Sequence, residues 1–328
     1  MTCILSCPQR RSSKMSSSAF ISVISLIAFC LWGGNALANP RTSVSLNGQV
    51  SPVFFNDGDS FRVLSGEYKG SKARLAGFNT LESYGAVHSW GTWTKKELYA
   101  LAKMGTYNAR EGTWECISDL STDTYGRYLW ICPDLVVDQI KKGYAHAMSV
   151  TSESAGADAV AAQKDAVKNK RGIWAHGVPE YVLTSLHSVE EQSSDRATYN
   201  RLVSSVDGHS LKWKHTDKYE ECQDVCWKPS KEDRYQRFTQ RFAKHKSVAS
   251  WIASYDEATQ SKNMSAFLDG QKEKMEWKED SHKEAAQKVL AEMQEAGWVD
   301  AAQSEIETCM LYVDFRRRFG ASRAVCLK

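Results

Sequence analysis

What this 328-residue sequence lacks narrows it first. It has no Cys-x-x-Cys pair and no paired-histidine motif, so nothing in it reads as a zinc site. It has no apolar run long enough for a comfortable membrane span; the longest, AFISVISLIAFCLW, stops well short of the ~20 residues a spanning helix needs. It has no clear internal repeat and no long low-complexity tract. Once the N-terminal segment is set aside it also has no net charge, so no global field favours a nucleic-acid partner.

That N-terminal segment stands apart from the rest. A basic PQRRSSK stretch precedes the apolar run, and NALA closes it with a small-x-small pattern. Residues 1–38 therefore read as a secretory signal cleaved after Ala38, with Met15 as a second possible start. A retained anchor is the weaker alternative, and the bulky Phe29 before Cys30 argues against a lipoprotein signal. The expectation is an exported, periplasmic or secreted monomer with no stable membrane association after cleavage. Arg10, Arg11 and Lys14 leave with the signal; taking these three from 42 Lys and Arg leaves a count equal to the 39 Asp and Glu. Cys3, Cys7 and Cys30 leave too. Cys116, Cys132, Cys222, Cys226, Cys309 and Cys326 remain, an even set that points to disulfides in an exported chain.

Along the chain, residues 45–186 mix short strands and helices. SPVFFNDGDSFRVLS alternates around Asp57-Gly58-Asp59, and KARLAGF reads as another strand. TKKELYALAKMGTYNAREG, LVVDQIKKGYAHAM and AVAAQKDAVKNKRGIW carry helical spacing, and TWECISDLSTDTYGRYLWICPD reads as a hairpin turning near Asp123 to Gly126. Such a mixture predicts an α+β small barrel with helices packed on it. Cys116 and Cys132 lie equally far from Thr124, so they face each other across that hairpin. Residues 187–200 are polar and read as a linker. Residues 201–328 read as a mainly α-helical, disulfide-containing domain, including AAQSEIETCMLYVDFRRRFG. Within it, Cys222 and Cys226 at i,i+4 share a helical face, so each pairs with Cys309 or Cys326, in an order that spacing leaves open.

Three short stretches concentrate chemistry. NDGDS offers Asp57 and Asp59, RLAGFNTLES offers Arg74, Asn79, Thr80 and Glu82, and TDTYGR offers Asp123 and Arg127. A turn needs Gly and Asn; it does not need the Arg or the Glu. Oxygen donors suit a hard cation. A carboxylate near that cation can hold and deprotonate water, and guanidiniums can stabilise charge growing on a phosphoryl group.

In this order and separation, the three stretches and the Gly172-Ile173-Trp174 run resemble the staphylococcal nuclease (thermonuclease) family over residues 45–185. The resemblance implies a five-stranded OB-fold barrel with packed helices and a Ca²⁺-dependent nuclease that hydrolyses DNA or RNA phosphodiesters with low sequence specificity. By position it implies Asp59, Asn79 and the Thr80 carbonyl as calcium ligands, with Glu82 beside the metal holding the attacking water. Arg74 and Arg127 would grip the phosphate, and Asp57 would support the ligands. Where this chain has Asn79 the family has Asp, which removes one negative charge. HAMSVTSES holds none of the tyrosines that contact nucleotide in the family's type member.

Other residues have milder readings. Trp90 and Trp93 fit packing better than base contact. His88 and His146 could act as acid or base, but fit core or surface roles more simply. RYQRFTQRFAKHK fits a solvated helix face over a Tyr235/Phe238/Phe242 stripe better than a phosphate-binding face, and FRRRFG shares the ambiguity. The alternative function is a non-catalytic nucleic-acid or protein binding module of the cell envelope.

Overall fold

The computed structural model describes residues 42–84, 86–192, 197–300, 303, 305–314, 324 and 326. The expected signal segment 1–38 and FRRRFG lie outside them. The first strands follow from alternation: Thr42–Leu46 (β1) and Gln49–Asp57 (β2) bury every second residue over most of their length. Ser60–Val63 (β3) and Lys72–Leu75 (β4) complete an antiparallel meander. Gly77–Thr80 (β5) and His88–Trp90 (β6) leave that sheet. Lys95–Glu111 (α1) starts at a reciprocal cap, in which the Glu97 amide donates to Thr94 Oγ1 and the Thr94 amide donates to the Glu97 carboxylate.

Trp114–Cys116 (β7) and Tyr128–Trp130 (β8) add parallel to β1 and β4, giving a six-stranded sheet of order β7-β1-β2-β3-β4-β8. The sheet curls until its two edges meet: the Ile117 and Ile131 amides each donate to the other's carbonyl at 2.9 Å. The expected Cys116–Cys132 disulfide closes beside that bridge. Phe55, Phe61, Leu75 and Trp130 fill the interior. Pro133–Lys141 (α2) and Ala157–Lys168 (α3) cover it, and Ala145–Met148 (β9) pairs with β5. The fold is mixed α+β, and the described sheet has six strands where five were expected.

Beyond this, Tyr181–Ser185 (β10), Thr198–Ser204 (β11) and Ser210–His215 (β12) form an antiparallel sheet. The stretch expected as a linker thus carries a 3₁₀ turn at Val189–Gln192 and the start of β11. Asp224–Trp227 (β13) and Thr308–Leu311 (β14) pair with each other, and β14 also pairs with β6. Lys231–Lys244 (α4), Ala249–Ile252 (α5), Glu257–Leu268 (α6) and Asp280–Glu295 (α7) enclose Phe242, Met264, Phe267, Val289 and Leu290. Residues 201–328 therefore hold helices as expected, but also strands, and one of these adds to a sheet begun before Trp90.

Two local expectations are corrected here. Cys222 and Cys226 do not share a helical face: Cys226 lies in β13, and Cys222 sits before it in a turn with φ 70°. The bonds run Cys222–Cys326 and Cys226–Cys309. Thr308–Leu311 is a strand, because the backbones of β6 and β13 on either side satisfy its amides and carbonyls. No described helix is long and apolar enough to cross a membrane.

Two arginines of α4 reach carboxylates of the preceding segment. Arg237 pairs with Glu180 at 2.9 Å, and Arg241 pairs with Asp207 at 3.1 Å while lying over the Trp298 ring. Tyr235, Phe238 and Phe242 form the buried stripe expected of it. His209 Nδ1 sits 2.6 Å from the Asp207 carboxylate, and its Nε2 is 3.1 Å from the Tyr181 hydroxyl. Burial alone would raise the Asp207 carboxyl, but His209 and Arg241 outweigh it and hold it at about 2. The folded value lies below the unfolded value of ~3.9. The stabilisation is therefore complete above pH ~4 and is lost as pH falls through about 2. Asp207→Asn is expected to cost about 2 kcal/mol near neutral pH. In parallel urea titrations the difference between parent and variant should shrink as pH falls from 4 to 2; a constant difference would rule out this anchor.

Candidate functional site

The turn between β2 and β3 aims one carboxylate inward. Asp57 Oδ1 accepts from Ser60 Oγ at 2.6 Å and from the Asp59 amide at 3.3 Å, which fixes the turn. Gly58 is required by contact, since a Cβ there would lie 2.5 Å from Thr80 Cγ2. Gln139 of α2 ties the same turn to α1, donating to the carbonyls of Gly58 (3.4 Å) and Gly105 (2.7 Å). Asp59 then points at the neighbouring strands. Its Oδ2 accepts from the Thr80 amide at 2.9 Å, and its Oδ1 pairs with Arg74 Nη1 at 2.5 Å.

Arg74 sits on β4, opposite Ser60. After it the chain turns at Gly77, whose φ of 94° favours glycine, and swings out to pair with β9. That places Asn79 opposite His146. Arg74 Nη2 donates to Asn79 Oδ1 at 2.6 Å. Asn79 Nδ2 donates to the Thr80 carbonyl at 2.8 Å and faces His146 Nε2 at 3.5 Å. His146 Nδ1 lies 3.0 Å from the Ala147 carbonyl, so the proton belongs on Nδ1 and Nε2 is the acceptor. Asp57, Asp59, Arg74, Asn79 and Thr80 thus come together as one cluster.

Glu82 follows β5 and acts on the same cluster. Burial pushes the Asp57 carboxyl well above the usual carboxylate range, and the charges of Asp59 and Glu82 push it the same way. Burial works against the Arg74 guanidinium, but Asp59, Asp57 and Glu82 outweigh it and hold it charged. The loop carrying Glu82 is braced from behind. The Glu82 amide donates to His88 Nε2 at 3.5 Å, and the Leu311 amide donates to the Val87 carbonyl at 2.9 Å. His88 and Ser89 pair with Met310 and Cys309 of β14, which Cys226 tethers. The C-terminal stretch therefore reaches back to the loop bearing the expected general base. Gly85 of that loop lies outside the described residues.

Arg127 is placed differently. Its guanidinium holds Asp123 at 2.7 Å through both Nε and Nη2, and lies 5.5 Å from the Tyr125 ring. It is not hydrogen-bonded into the Asp59–Arg74 cluster. The histidines are buried: burial, helped by the neighbouring His146, pushes His88 down to about 3, and burial pushes His146 down to about 4. Both are neutral at physiological pH. Trp90 and Trp93 pack, donating to the carbonyls of Gly177 and Ile173. Sequence reasoning missed Gln139 and the pairing of Asn79 with His146; the only signal for the latter was the β5–β9 register.

The donor set suits a hard cation. Asp59 and Glu82 both act on the Arg74 guanidinium and both push the neighbouring Asp57 carboxyl upward, and a divalent ion would relieve that crowding of acidic groups. Asp59, Asn79 Oδ1 and the Thr80 carbonyl are oxygen donors, now engaged by Arg74, the Thr80 amide and Asn79 Nδ2. The nearby grouping of Cys226, Glu307 and Cys309 offers nothing comparable, because the two cysteines are bonded to each other.

The hydrogen bonds of Asn79 generate a prediction. An aspartate there has no Nδ2 donor, so it sets an oxygen against the Thr80 carbonyl and against His146 Nε2. Asn79→Asp is expected to cost about 1–3 kcal/mol in chelator, the scale for orphaned buried polar groups. Denaturant unfolding of both proteins checks this. An unchanged or raised midpoint would show that the carboxamide is not held as described.

No family model and no curated protein matches this chain, so the arrangement around Asp59 and Arg74 is what bears on its chemistry.

Proposed function

We propose that the chain is an exported Ca²⁺-dependent nuclease built on an OB-fold barrel, hydrolysing phosphodiester bonds of DNA or RNA. The observation that carries the reading is the Arg74 guanidinium, half-buried and shared between Asp59 and Asn79, with the carboxyls of Asp57 and Glu82 acting on it from nearby. A structural ion pair needs one partner of each sign, and further carboxyls crowded beside it are costly unless something offsets them. Asp59, Asn79 and the Thr80 carbonyl would hold calcium, with Glu82 beside it; when bound, the ion would offset negative charge at the phosphate. Arg74 turns its planar fork from Asn79 to the phosphoryl oxygens as the substrate anion arrives. Glu82 takes a proton from a water whose oxygen bonds phosphorus in line, while the opposite P–O bond breaks and the leaving oxygen takes up a proton from solvent. Arg127 leaves Asp123 to meet the charge that grows on the phosphoryl group. Six paired cysteines support an exported location.

A second reading also has support. Arg127 is satisfied by Asp123 within its own turn, which suits a binding module that performs no chemistry. Hydrolysis of DNA and RNA by the purified chain, with calcium and with chelator, separates the two. Glu82→Gln, Arg74→Ala and Arg127→Ala are each expected to lower turnover by roughly 10²-fold or more while the protein stays folded. Full activity in chelator, or in Glu82→Gln, would contradict the nuclease reading.

A further inference from the structure

One face of the β11–β12 ribbon gathers positive charge. Tyr199 stands opposite Lys214, and Arg201 stands opposite Lys212, so all four project from the same side. Lys212 and Lys214 are exposed, and the other two are half-buried. The cations are ordered as well as clustered. Lys212 Nζ lies 4.7 Å from the Tyr199 ring centre, the Arg201 guanidinium lies 5.8 Å from it, and Arg201 Nη1 donates to the Val150 carbonyl at 3.1 Å. Among the described residues no carboxylate pairs with Arg201, Lys212 or Lys214; the nearby Glu190 is taken by Lys218, and Asp217 faces His215. Lysines on an edge strand guard against pairing with another chain, but that role requires neither Arg201 nor Tyr199.

The face is continuous with the candidate site. Arg74 Nη2 lies 4.0 Å from Met148 Sδ at the end of β9. Val150, whose carbonyl Arg201 holds, is two residues on, within about 7 Å along the backbone. The intervening loop is stitched to the ribbon: the Ser149 amide donates to Gly208, and the Ser210 amide donates to Thr151, both at 2.7 Å. Val150 itself is 68% exposed between the two.

Taking the chain as a phosphodiesterase, as proposed above, we infer that this face is a track for the substrate strand beyond the scissile phosphate. Arg201, Lys212 and Lys214 take successive phosphates of a single-stranded nucleic acid. Tyr199 holds the cations in line and offers its ring to a base when Lys212 moves to phosphate. A single strand fits better than a duplex because the row is one ribbon wide and crosses the exposed Val150 loop.

The test uses the full mature chain in chelator, with a dye-labelled single-stranded phosphorothioate oligonucleotide followed by anisotropy across a salt series. Lys212→Gln/Lys214→Gln is expected to bind about 10-fold more weakly, with a log–log salt slope lowered by about 1.4. Tyr199→Leu should weaken binding several-fold, and Tyr199→Phe should restore it. The double variant should cleave a small aryl phosphodiester at the parent rate and a long oligonucleotide with raised KM. Equal affinities and equal salt slopes for parent and double variant would overturn the track, as would equal competition by phosphatidylglycerol vesicles. If the parent binds the oligonucleotide through these residues but hydrolyses nothing with calcium, the track stands and the nuclease reading fails. If hydrolysis is intact and KM is unchanged in the double variant, the track fails alone.

Discussion

The region depends on one ion pair: the half-buried Arg74 guanidinium meets Asp59 at 2.5 Å, with the carboxyls of Asp57 and Glu82 acting on it from nearby. Asp59 takes the direct contact, and its second oxygen is satisfied only because the Thr80 amide is brought within 2.9 Å. The approach requires a glycine at position 58, a fixed turn at Asp57 and Gln139 bridging to α1. Asn79 supplies an oxygen to Arg74 without adding charge, and its amide group is turned the right way by the Thr80 carbonyl and His146. A neutral carboxamide is the substitution a crowded acidic site can accept at little electrostatic cost. The arrangement is satisfied at rest, and it is the proposed nuclease reading that would have it open to a cation and a phosphate.

The second half of the chain contributes to this region rather than standing apart from it. β14 adds to β6 and so backs the Glu82 loop, while Cys226 holds β14 through Cys309. Gln163 joins the Ala147 amide of β9 to the Ser205 carbonyl beyond β11. Helix α4 docks through two arginines onto carboxylates that precede it by some 30 to 60 residues. If Glu82 is the general base proposed here, this bracing matters, because a small displacement of such a group costs rate steeply.

Much of this was legible in the sequence. Alternation around Asp57-Gly58-Asp59 located the β2–β3 hairpin, and the helical spacing of TKKELYALAKMGTYNAREG located α1. Symmetry about Thr124 gave the Cys116–Cys132 bond. The resemblance implied the grouping of Asp59, Arg74, Asn79 and Thr80, and the structure brings them together. What stayed hidden depends on distant partners. Thr308–Leu311 reads as helix in isolation, and only β6 and β13 make it a strand. Arg237 and Arg241 of α4 read as part of a solvated face, and only the fold sets Glu180 and Asp207 against them. His146 meets Asn79 through a register that no local pattern encodes. Arg127 is the opposite case: its partner Asp123 is four residues away, and a local contact took precedence over the expected convergence with Arg74.

The central claim is that Arg74 is held in reserve by Asp59 and Asn79 and released when cation and phosphate arrive. Side-chain nitrogen NMR of the Arg74 guanidinium observes this directly, with calcium and a phosphorothioate oligonucleotide added separately and then together. The account predicts slowly exchanging, inequivalent Nη signals in the free protein, and a new set of shifts only when both are present. Signals that ignore the pair, in a protein shown to bind the oligonucleotide, would contradict it and leave Arg74 a structural ion pair.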